Sequence, residues 1–303
     1  MLTIRTLLLT LSALAFALLM NSCGSLDSDS ENSESLVDFD WPREYYRAVW
    51  GESPNSVYTV GSSGTILYYD GSDWSVMQSG TERTLLDVFG FSSNQVVAVG
   101  EGGIILKYDG ENWAETDYED SFRMNTVWGS SANNIFVGSS SGDIVHYNGT
   151  SWTKQSTPAD GGIEEIWGNT QNRIFAVSDE GEILGYNGEE WIIESQGHPP
   201  LYTVWASNTD DAVYAAGSGG TLLKLNDDTW SEEDHNATAG IYGLWGSSED
   251  DVYATGTDGT ILYFDGETWQ EDSSLTRETI SGVWGSRGTI FMVGGFGFIT
   301  MFN

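Results

Sequence analysis

Residues 244–269 read LWGSSEDDVYATGTDGTILYFDGETW, a stretch that contains every feature of a unit the chain repeats. Three short runs rich in Val, Ile, Leu and Tyr are separated by Gly, Asp and Ser, which is typical of β-strands joined by tight turns. A Trp opens a fourth run. The aromatic of the first run recurs every 38 to 40 residues, at Trp50, Phe89, Trp128, Trp167, Trp205, Trp245 and Trp284. A fixed period near 40 residues indicates a propeller or a repeat array.

Seven copies of a four-strand unit predict an all-β fold, a seven-bladed β-propeller of four-stranded blades, over residues 38–303. We call the four strands of each blade a to d along the chain. The last copy stops at Asn303, after its strand c. We expect residues 40–47, which include Trp41, to form the missing strand d and close the ring. Pro42 suits such an outermost strand, where a lost amide hydrogen bond costs least.

The turn between strands c and d has its own pattern. Six copies of strand c end in Asp or Asn, and Gly follows in five of them. Such pairs predict a two-residue hairpin turn in which both residues have positive φ. In the fifth copy Asp227 replaces the Gly, so a different turn is expected there. The first residues of these turns are Asp70, Asp109, Asn148, Asn187, Asn226 and Asp265.

The first 22 residues read as a signal peptide, with an uncharged, mostly apolar run from Thr6 to Met20. Cys23, the only Cys in the chain, follows a small residue directly after that run. This arrangement resembles the lipobox of bacterial lipoproteins, which implies cleavage before Cys23 and acylation of that residue. The alternative is an ordinary signal peptide with an incidental Cys. Met20 and Asn21 depart from the usual lipobox residues.

Residues 23–37 form an acidic segment that is too polar to bury a core, which predicts a flexible tether. Asp27, Asp29 and Glu31 have the spacing of the start of a calcium loop. Asn32 and Asp38 stand where that loop requires Gly and Glu, so we interpret the segment as a tether with no metal site.

The composition excludes several classes of function. The chain carries 45 acidic and 11 basic residues, a net charge of −34, which argues against binding nucleic acid or anionic lipid headgroups. A single Cys excludes an intrachain disulfide and a zinc site built on Cys. The acidity either steers a basic partner or keeps the protein soluble, and its spread over every blade favours solubility.

The repeat resembles two related groups of propellers. Asp70-Gly71-Ser72-Asp73-Trp74 and its copies are similar to a shortened Asp-box, the turn motif of sialidase-type (BNR-like) propellers. The whole repeat also resembles bacterial propeller lipoproteins of the photosystem-assembly-factor-like group. In Asp-box families the motif is structural and lies opposite the ligand face. The resemblance therefore implies that a ligand would lie on the face formed by the d-to-a and b-to-c connections.

The d-to-a connections differ most between blades, and blade-specific residues are where binding is expected. Arg residues there could hold an anionic ligand, or they could each pair with a nearby acid such as Glu82, Asp120 or Glu278. Exposed aromatics outside the repeat positions, which include Phe122, would favour a glycan instead. The candidate ligand-face residues are Arg47, Arg83, Arg123, Tyr118, His198, Tyr202, His235 and Arg277.

We interpret the chain as a lipid-anchored, extracytoplasmic, non-catalytic binding or assembly module. No nucleophile with a positioned base can be identified in the sequence, and no cofactor or metal site is expected. The expected partner is an envelope or cell-surface protein, and the propeller is expected to be a monomer in the bacterial cell envelope, with the outer membrane favoured. The alternatives are a carbohydrate-binding propeller and a sialidase-like glycosidase, although the Arg-Ile-Pro signature of such enzymes is absent.

Overall fold

A computed structural model describes residues 42–169, 173–272 and 276–302. In these ranges 27 strands form seven antiparallel sheets, six of four strands and one of three. Each sheet is one blade, and its strands pair in chain order from a to d. This confirms the predicted seven-bladed β-propeller. Blades one to three contain β1 Tyr46–Ser53, β2 Ser56–Gly61, β3 Ile66–Tyr69, β4 Trp74–Met77, β5 Leu85–Ser92, β6 Gln95–Gly100, β7 Ile105–Tyr108, β8 Trp113–Glu115, β9 Met124–Ser131, β10 Asn134–Ser139, β11 Ile144–Tyr147 and β12 Trp152–Gln155.

Blades four to seven repeat this arrangement, except that blade seven has three strands within the described residues. Their strands are β13 Ile163–Gly168, β14 Ile174–Ser178, β15 Ile183–Tyr186, β16 Trp191–Ser195, β17 Leu201–Ala206, β18 Val213–Gly217, β19 Leu222–Asn226, β20 Thr229–Glu232, β21 Ile241–Ser248, β22 Asp251–Gly256, β23 Ile261–Phe264, β24 Trp269–Glu271, β25 Ile280–Ser286, β26 Thr289–Gly294 and β27 Ile299–Phe302.

Helical structure in the described ranges is confined to 3-10 turns between strands b and c. They span Ser62–Gly64, Glu101–Gly103, Ser218–Gly220, Thr257–Gly259 and Gly295–Gly297. Across those same ranges, none of the helices is long and apolar enough to cross a membrane.

The innermost strands form a closed ring. Each strand a contacts strand a of both neighbouring blades, and β25 of blade seven contacts β1 of blade one. The aromatic–Gly pair explains the tight fit, because the aromatic of one blade covers the Gly of the next. A Cβ atom added to Gly90 would clash with the Trp50 ring, and one added to Gly246 would lie 2.8 Å from the Trp205 ring. The recurring Trp residues of strand a are therefore packing residues, and Gly is needed opposite them.

The interface between blades four and five departs from this rule. Ala206 stands where most blades have Gly. The Trp167 side chain is only partly buried, its indole N–H donates to the Ala206 carbonyl, and its ring meets Phe89 edge to face at 6.0 Å. Phe89, the one strand-a aromatic that is not Trp, comes from blade two. Both rings lie in the wall of the central channel.

The predicted closing strand is wrong for residues 42–47. Residues 42–45 have no strand structure, and β1 begins at Tyr46 and pairs with β2 of blade one. Residues 42–45 instead take the place of a d-to-a connection, because Gly297 N–H donates to the Glu44 carbonyl at 2.8 Å. Trp41 lies nine residues before Trp50, whereas the strand-d Trp of other blades lies 14 or 15 residues before the next strand-a aromatic. Asp40 and Trp41 are outside the described residues.

The predicted two-residue c-to-d turn is also wrong for most blades. Tyr69 pairs with Trp74, which leaves a four-residue loop, and only Gly71 in that loop has positive φ. Asp70 supports the loop, since its Oδ1 accepts from Ser72 N–H at 2.8 Å and from Asp73 N–H at 3.0 Å. Asp109, Asn148, Asn187 and Asp265 accept the same pair of backbone hydrogen bonds in their loops.

Blade five has the different turn that its sequence predicts. Asn226 pairs with Thr229, and the two residues between them, Asp227 and Asp228, both have positive φ. The two-residue geometry therefore occurs where the Asp-Gly or Asn-Gly pair is missing.

The connections lie on two faces, as expected. The c-to-d loop meets the a-to-b turn, because a Cβ on Gly71 would lie 2.8 Å from Asn55 Cβ. The b-to-c turn meets the d-to-a connection, because a Cβ on Gly64 would clash with the Thr81 carbonyl oxygen. We call the second face, which contains all d-to-a connections, the d-to-a face.

Candidate functional site

The central channel opens on the d-to-a face into a cavity of about 240 Å³. Its wall comes from strand a of all seven blades. Every strand a has a β-bulge near its start, where pairing with strand b skips one residue. A bulge turns two successive side chains towards the same side, which a regular strand cannot do. The channel side of each strand a therefore carries two adjacent residues at the bulge.

The two positions form two rings. The bulged residue, three before the strand-a aromatic, belongs to what we call the bulge ring. The following residue belongs to the inner ring. The bulge ring is Arg47, Leu86, Asn125, Glu164, Tyr202, Tyr242 and Ser281, and the inner ring is Ala48, Asp87, Thr126, Glu165, Thr203, Gly243 and Gly282. All of them line the cavity except Thr126, whose side chain is fully buried.

The inner ring is strongly asymmetric. Blades two to five carry acidic or hydroxyl side chains, whereas blades six, seven and one carry Gly243, Gly282 and Ala48. Asp87 extends to the next blade, where its Oδ2 accepts from Val127 N–H at 2.7 Å, while its Oδ1 accepts from Val88 N–H at 2.7 Å. Thr126 bonds to the next blade in the same way, because its Oγ1 accepts from Ile166 N–H at 3.1 Å. These side chains satisfy backbone donors on the channel edge of strand a.

Asp87 and Glu165 form an acidic pair in this ring. The Thr126 hydroxyl, on the blade between them, donates to Glu165 Oε1 at 3.4 Å. Burial raises the pKa of Asp87 to about 6, although the two backbone donors oppose the rise. Burial and the neighbouring Asp87 charge raise the pKa of Glu165 well above its usual range. Two ionised carboxylates are disfavoured together here, and a cation placed between them would relieve that cost.

The bulge ring carries a second feature, a pair of tyrosines. The rings of Tyr202 and Tyr242 are parallel within 4°, with centroids 4.7 Å apart. Tyr242 is 38% exposed, so the pair presents an aromatic surface at the mouth. On the other side of Tyr242, the Arg47 guanidinium lies over the Tyr45 ring at 4.2 Å.

Arg123 is already engaged by neighbouring side chains. Its Nε donates to Asn125 Oδ1 at 2.6 Å, and its guanidinium lies 3.6 Å from Glu164 Oε1. Asn125 Nδ2 also donates to Glu164 Oε1, at 2.9 Å. Burial raises the pKa of Glu164, while the Arg123 charge acts in the opposite direction. These contacts hold the Arg123, Asn125 and Glu164 side chains in place at the mouth.

Phe296 is an exposed aromatic on the same face, outside the cavity. Phe296 is 76% exposed and has φ of 53°, in a turn where other blades have Ser63, Gly102, Gly219 or Asp258. A bulky residue in the left-handed region is unusual and strained. The neighbouring Gly295 lies close to Tyr45, because a Cβ on Gly295 would be 3.5 Å from that ring.

Three of the candidate residues from the sequence reach the cavity wall, namely Arg47, Arg123 and Tyr202. Arg83 forms a surface ion pair with Glu115 at 3.0 Å. This agrees with the alternative that each Arg pairs with a nearby acid, although Glu115 is not one of the acids named for it. Arg277 is exposed on the connection before β25, outside the cavity wall.

The other candidates make local contacts. Tyr118 packs against Trp152 and donates to Asp120 Oδ2 at 3.2 Å, and burial raises its pKa to about 12. His198 Nε2 lies 2.8 Å from Ser195 Oγ, and burial lowers the pKa of this His. His235 is partly buried, and its Nδ1 has no hydrogen-bond partner within the described ranges. Cys23 lies outside the described residues.

Sequence reasoning missed Asp87, Glu164, Glu165 and Tyr242. They lie in the first strand of each blade rather than in the variable connections. A signal did exist, because comparing the two residues before each Val/Ile/Leu–aromatic pair across the seven copies isolates both rings. The bulge that turns both positions inward could not be read from the sequence.

Comparison with family models gives no match, and a search of curated proteins by sequence gives none. Solved structures do match. The structure described as YCF48 bound to D1 peptide has a TM-score of 0.70 at 18% identity, covering 86% of this chain and 92% of that chain. The WD40 β-propeller domain of Doa1 has a TM-score of 0.73 at 13% identity, covering 86% and 93%. The extracellular domain of the putative one-component system BT4673 from B. thetaiotaomicron has a TM-score of 0.69 at 15% identity, covering 85% and 38%. Identities this low establish the shared propeller fold and nothing finer.

Proposed function

We propose that this protein is a lipid-anchored, extracytoplasmic propeller that binds a segment of another protein at the channel mouth on the d-to-a face. The observation that carries the proposal is the pair of non-repeating rings. Residues that recur in every blade serve packing, whereas the bulge and inner rings differ from blade to blade and line an open cavity. Concave sites with a few convergent polar groups are where propellers and other folds bind ligands.

The comparisons support the choice of a protein ligand. The YCF48 propeller is described as bound to a D1 peptide, so a propeller of this shape takes a peptide in at least that case. The surface around the mouth exposes residue types that are common in protein interfaces, namely Phe296, Tyr242 and Arg47. Aromatic residues and Arg are enriched in the residues that contribute most to protein interfaces.

The proposed module is non-catalytic. A sialidase-like site needs three converging Arg residues, and within the described part of the chain only Arg47 and Arg123 reach the cavity wall. Arg123 is already paired with Glu164. We place the protein in the bacterial cell envelope, anchored through a lipid on Cys23. The lipobox-like sequence supports this location.

Site-specific photocrosslinking in the source cells tests this proposal. The full chain would carry benzoylphenylalanine in place of Phe296 on the d-to-a face or in place of Glu189, an exposed residue on the opposite face. We expect the probe at 296 to link recurrently to one protein and the probe at 189 to give no such link. Equal linking from both faces, or no protein link from position 296, would contradict the proposal.

One observation favours a second candidate, a glycan. Sugar rings pack on exposed aromatic faces, and the Tyr202–Tyr242 pair offers such a face. Among the aromatics expected to contact a glycan, Tyr118 packs against Trp152, while the Phe122 side chain is 46% exposed. A glycan array probed with the full chain and with Tyr242→Ala distinguishes this candidate, since binding that disappears in the variant would support it.

A further inference from the structure

We infer that the channel mouth receives a lysine or arginine side chain of the partner protein and seats its charge between Asp87 and Glu165. The inference rests on the proposed protein-binding function and adds the chemistry of the residue that is recognised.

The first support is the charge inside the cavity. Asp87 and Glu165 lie on either side of Thr126, burial raises the pKa of both carboxyl groups, and the Asp87 charge further raises the pKa of Glu165. No inner-ring residue is basic. The basic groups of the mouth are engaged elsewhere, because Arg123 contacts Asn125 and Glu164, and Arg47 lies over Tyr45. The inner ring therefore holds two acids and no counter-charge, and a cation from a partner would supply that counter-charge.

The second support is the space opposite the acids. Gly243, Gly282 and Ala48 leave the wall of blades six, seven and one without long side chains. The cavity of about 240 Å³ is large enough for several water molecules and for a long side chain that displaces them. A long, flexible stem with a charge at its end fits a channel whose acids lie below the mouth.

The third support is a buried hydroxyl group without a partner. The Thr255 side chain is fully buried, and its Oγ1 has no hydrogen-bond partner within the described residues. This oxygen lies 2.8 Å from the point where a Cβ on Gly243 would be. It therefore borders the gap that Gly243 leaves in the cavity wall. Buried polar atoms in native proteins rarely stay unpaired, and another donor of the bound segment, such as a backbone N–H group in that gap opposite the acids, would satisfy this one.

The fourth support is the entrance. The stacked rings of Tyr202 and Tyr242 lie beside the path into the cavity, where the alkyl stem or the charge of Lys or Arg can pack on their faces. The excess of acidic over basic residues, a net charge of −34, disfavours an acidic segment at the mouth and does not oppose a basic one. The titratable groups that face the acidic pair from the mouth are Arg47, Arg123, Glu164, Tyr202 and Tyr242.

Two peptides that differ only in charge test the inference. The probes are acetyl-Gly-Arg-Gly amide and the same peptide with uncharged citrulline in place of Arg. Each is titrated into the full chain by isothermal calorimetry at pH 7.5 and low salt. We expect the Arg peptide to bind at least about 30-fold more tightly, the size expected for a desolvated charge pair.

A double variant locates the charge. Asp87→Asn with Glu165→Gln should reduce binding of the Arg peptide to the level of the citrulline peptide. The matched control is Glu111→Gln with Glu267→Gln, which makes the same charge change at exposed loop residues on the opposite face and should bind as the parent does. Circular dichroism confirms that each variant is folded. Equal binding of the two peptides by the parent, or Arg binding that survives the double variant, would overturn the inference.

The same variants separate this inference from the function it rests on. If the probe at position 296 links to one protein and the link survives Asp87→Asn with Glu165→Gln, protein binding stands and the cation site is wrong. If the parent gives no protein link, the proposed function itself fails. Calcium chloride that binds through the same two carboxylates, with no effect of the Arg peptide, would also overturn the inference in favour of a metal.

Discussion

The indole N–H of Trp167 donates a 3.1 Å hydrogen bond to the carbonyl oxygen of Ala206. In the neighbouring interfaces the equivalent Trp packs on a Gly, as Trp205 does on Gly246. Ala206 has a methyl group where that Trp ring would lie. Trp167 therefore takes a different position, in which its ring meets Phe89 edge to face in the channel wall. One substitution within the repeat thus contributes to the shape of the cavity.

The Trp–Gly contact predicts that Gly246→Ala destabilises the propeller. A Cβ at position 246 would lie 2.8 Å from the Trp205 ring and 2.9 Å from a backbone oxygen, so the interface of blades five and six must shift. We expect a loss of about 1–3 kcal/mol in the free energy of unfolding, measured by urea titration. Gly240→Ala is the control, because its Cβ would meet nothing nearer than 3.5 Å. Equal stability of the two variants would show that the Gly is not needed for packing.

The acidic pair predicts a pH-dependent gain from Glu165→Gln. The pKa of Glu165 is raised in the folded state, so the wild-type protein loses stability as the pH rises from the ordinary Glu pKa towards the folded value. Gln carries no charge at any pH. We expect the variant to be more stable by about 1–2 kcal/mol at pH 8 and to lose this advantage below pH 4. Thermal unfolding at both pH values measures it, and an advantage that is independent of pH would contradict the charge argument.

The c-to-d loops predict the opposite pH dependence. The backbone donors of Asn112 and Glu111 hold the pKa of Asp109 below its usual range. That contribution is present above the unfolded pKa and is lost as the pH falls through the folded value. Asp109→Ala should lower the melting temperature at pH 7 and have a smaller effect at pH 2.5. Glu111→Ala, which leaves the Asp109 carboxylate in place, should have little effect at either pH.

The lipobox-like sequence predicts that Cys23→Ser abolishes membrane anchoring. Cys23 is the only residue that can carry the thioether-linked lipid, so its replacement removes the attachment point. Cells grown with an alkyne fatty acid should label the parent protein and not the variant, and the variant should leave the membrane fraction. The Ser22→Ala variant, which keeps a small residue before Cys23, should still be labelled. Labelling of Cys23→Ser would show that the anchor is elsewhere or absent.

The sequence by itself determined the architecture. The period near 39, four strand-like runs per unit and the aromatic–Gly pairs predict seven blades because packing is the same in each. The sequence also predicted which blade has a different c-to-d turn, since Asp227 replaces Gly. It misplaced the closing strand, because a Trp followed by Pro at 41–42 looks like a strand start although the spacing to Trp50 is too short.

Only the tertiary structure decided the site. Arg47, Tyr202 and Arg123 were expected at the d-to-a face from their place in the chain, but Asp87 and Glu165 are 78 residues apart and lie on different blades. They meet because seven strands converge on one axis and because a bulge in each strand a turns two successive side chains towards it. Local patterns record which residues repeat. Which of the non-repeating residues come together depends on ring closure and register, which are long-range properties of the fold.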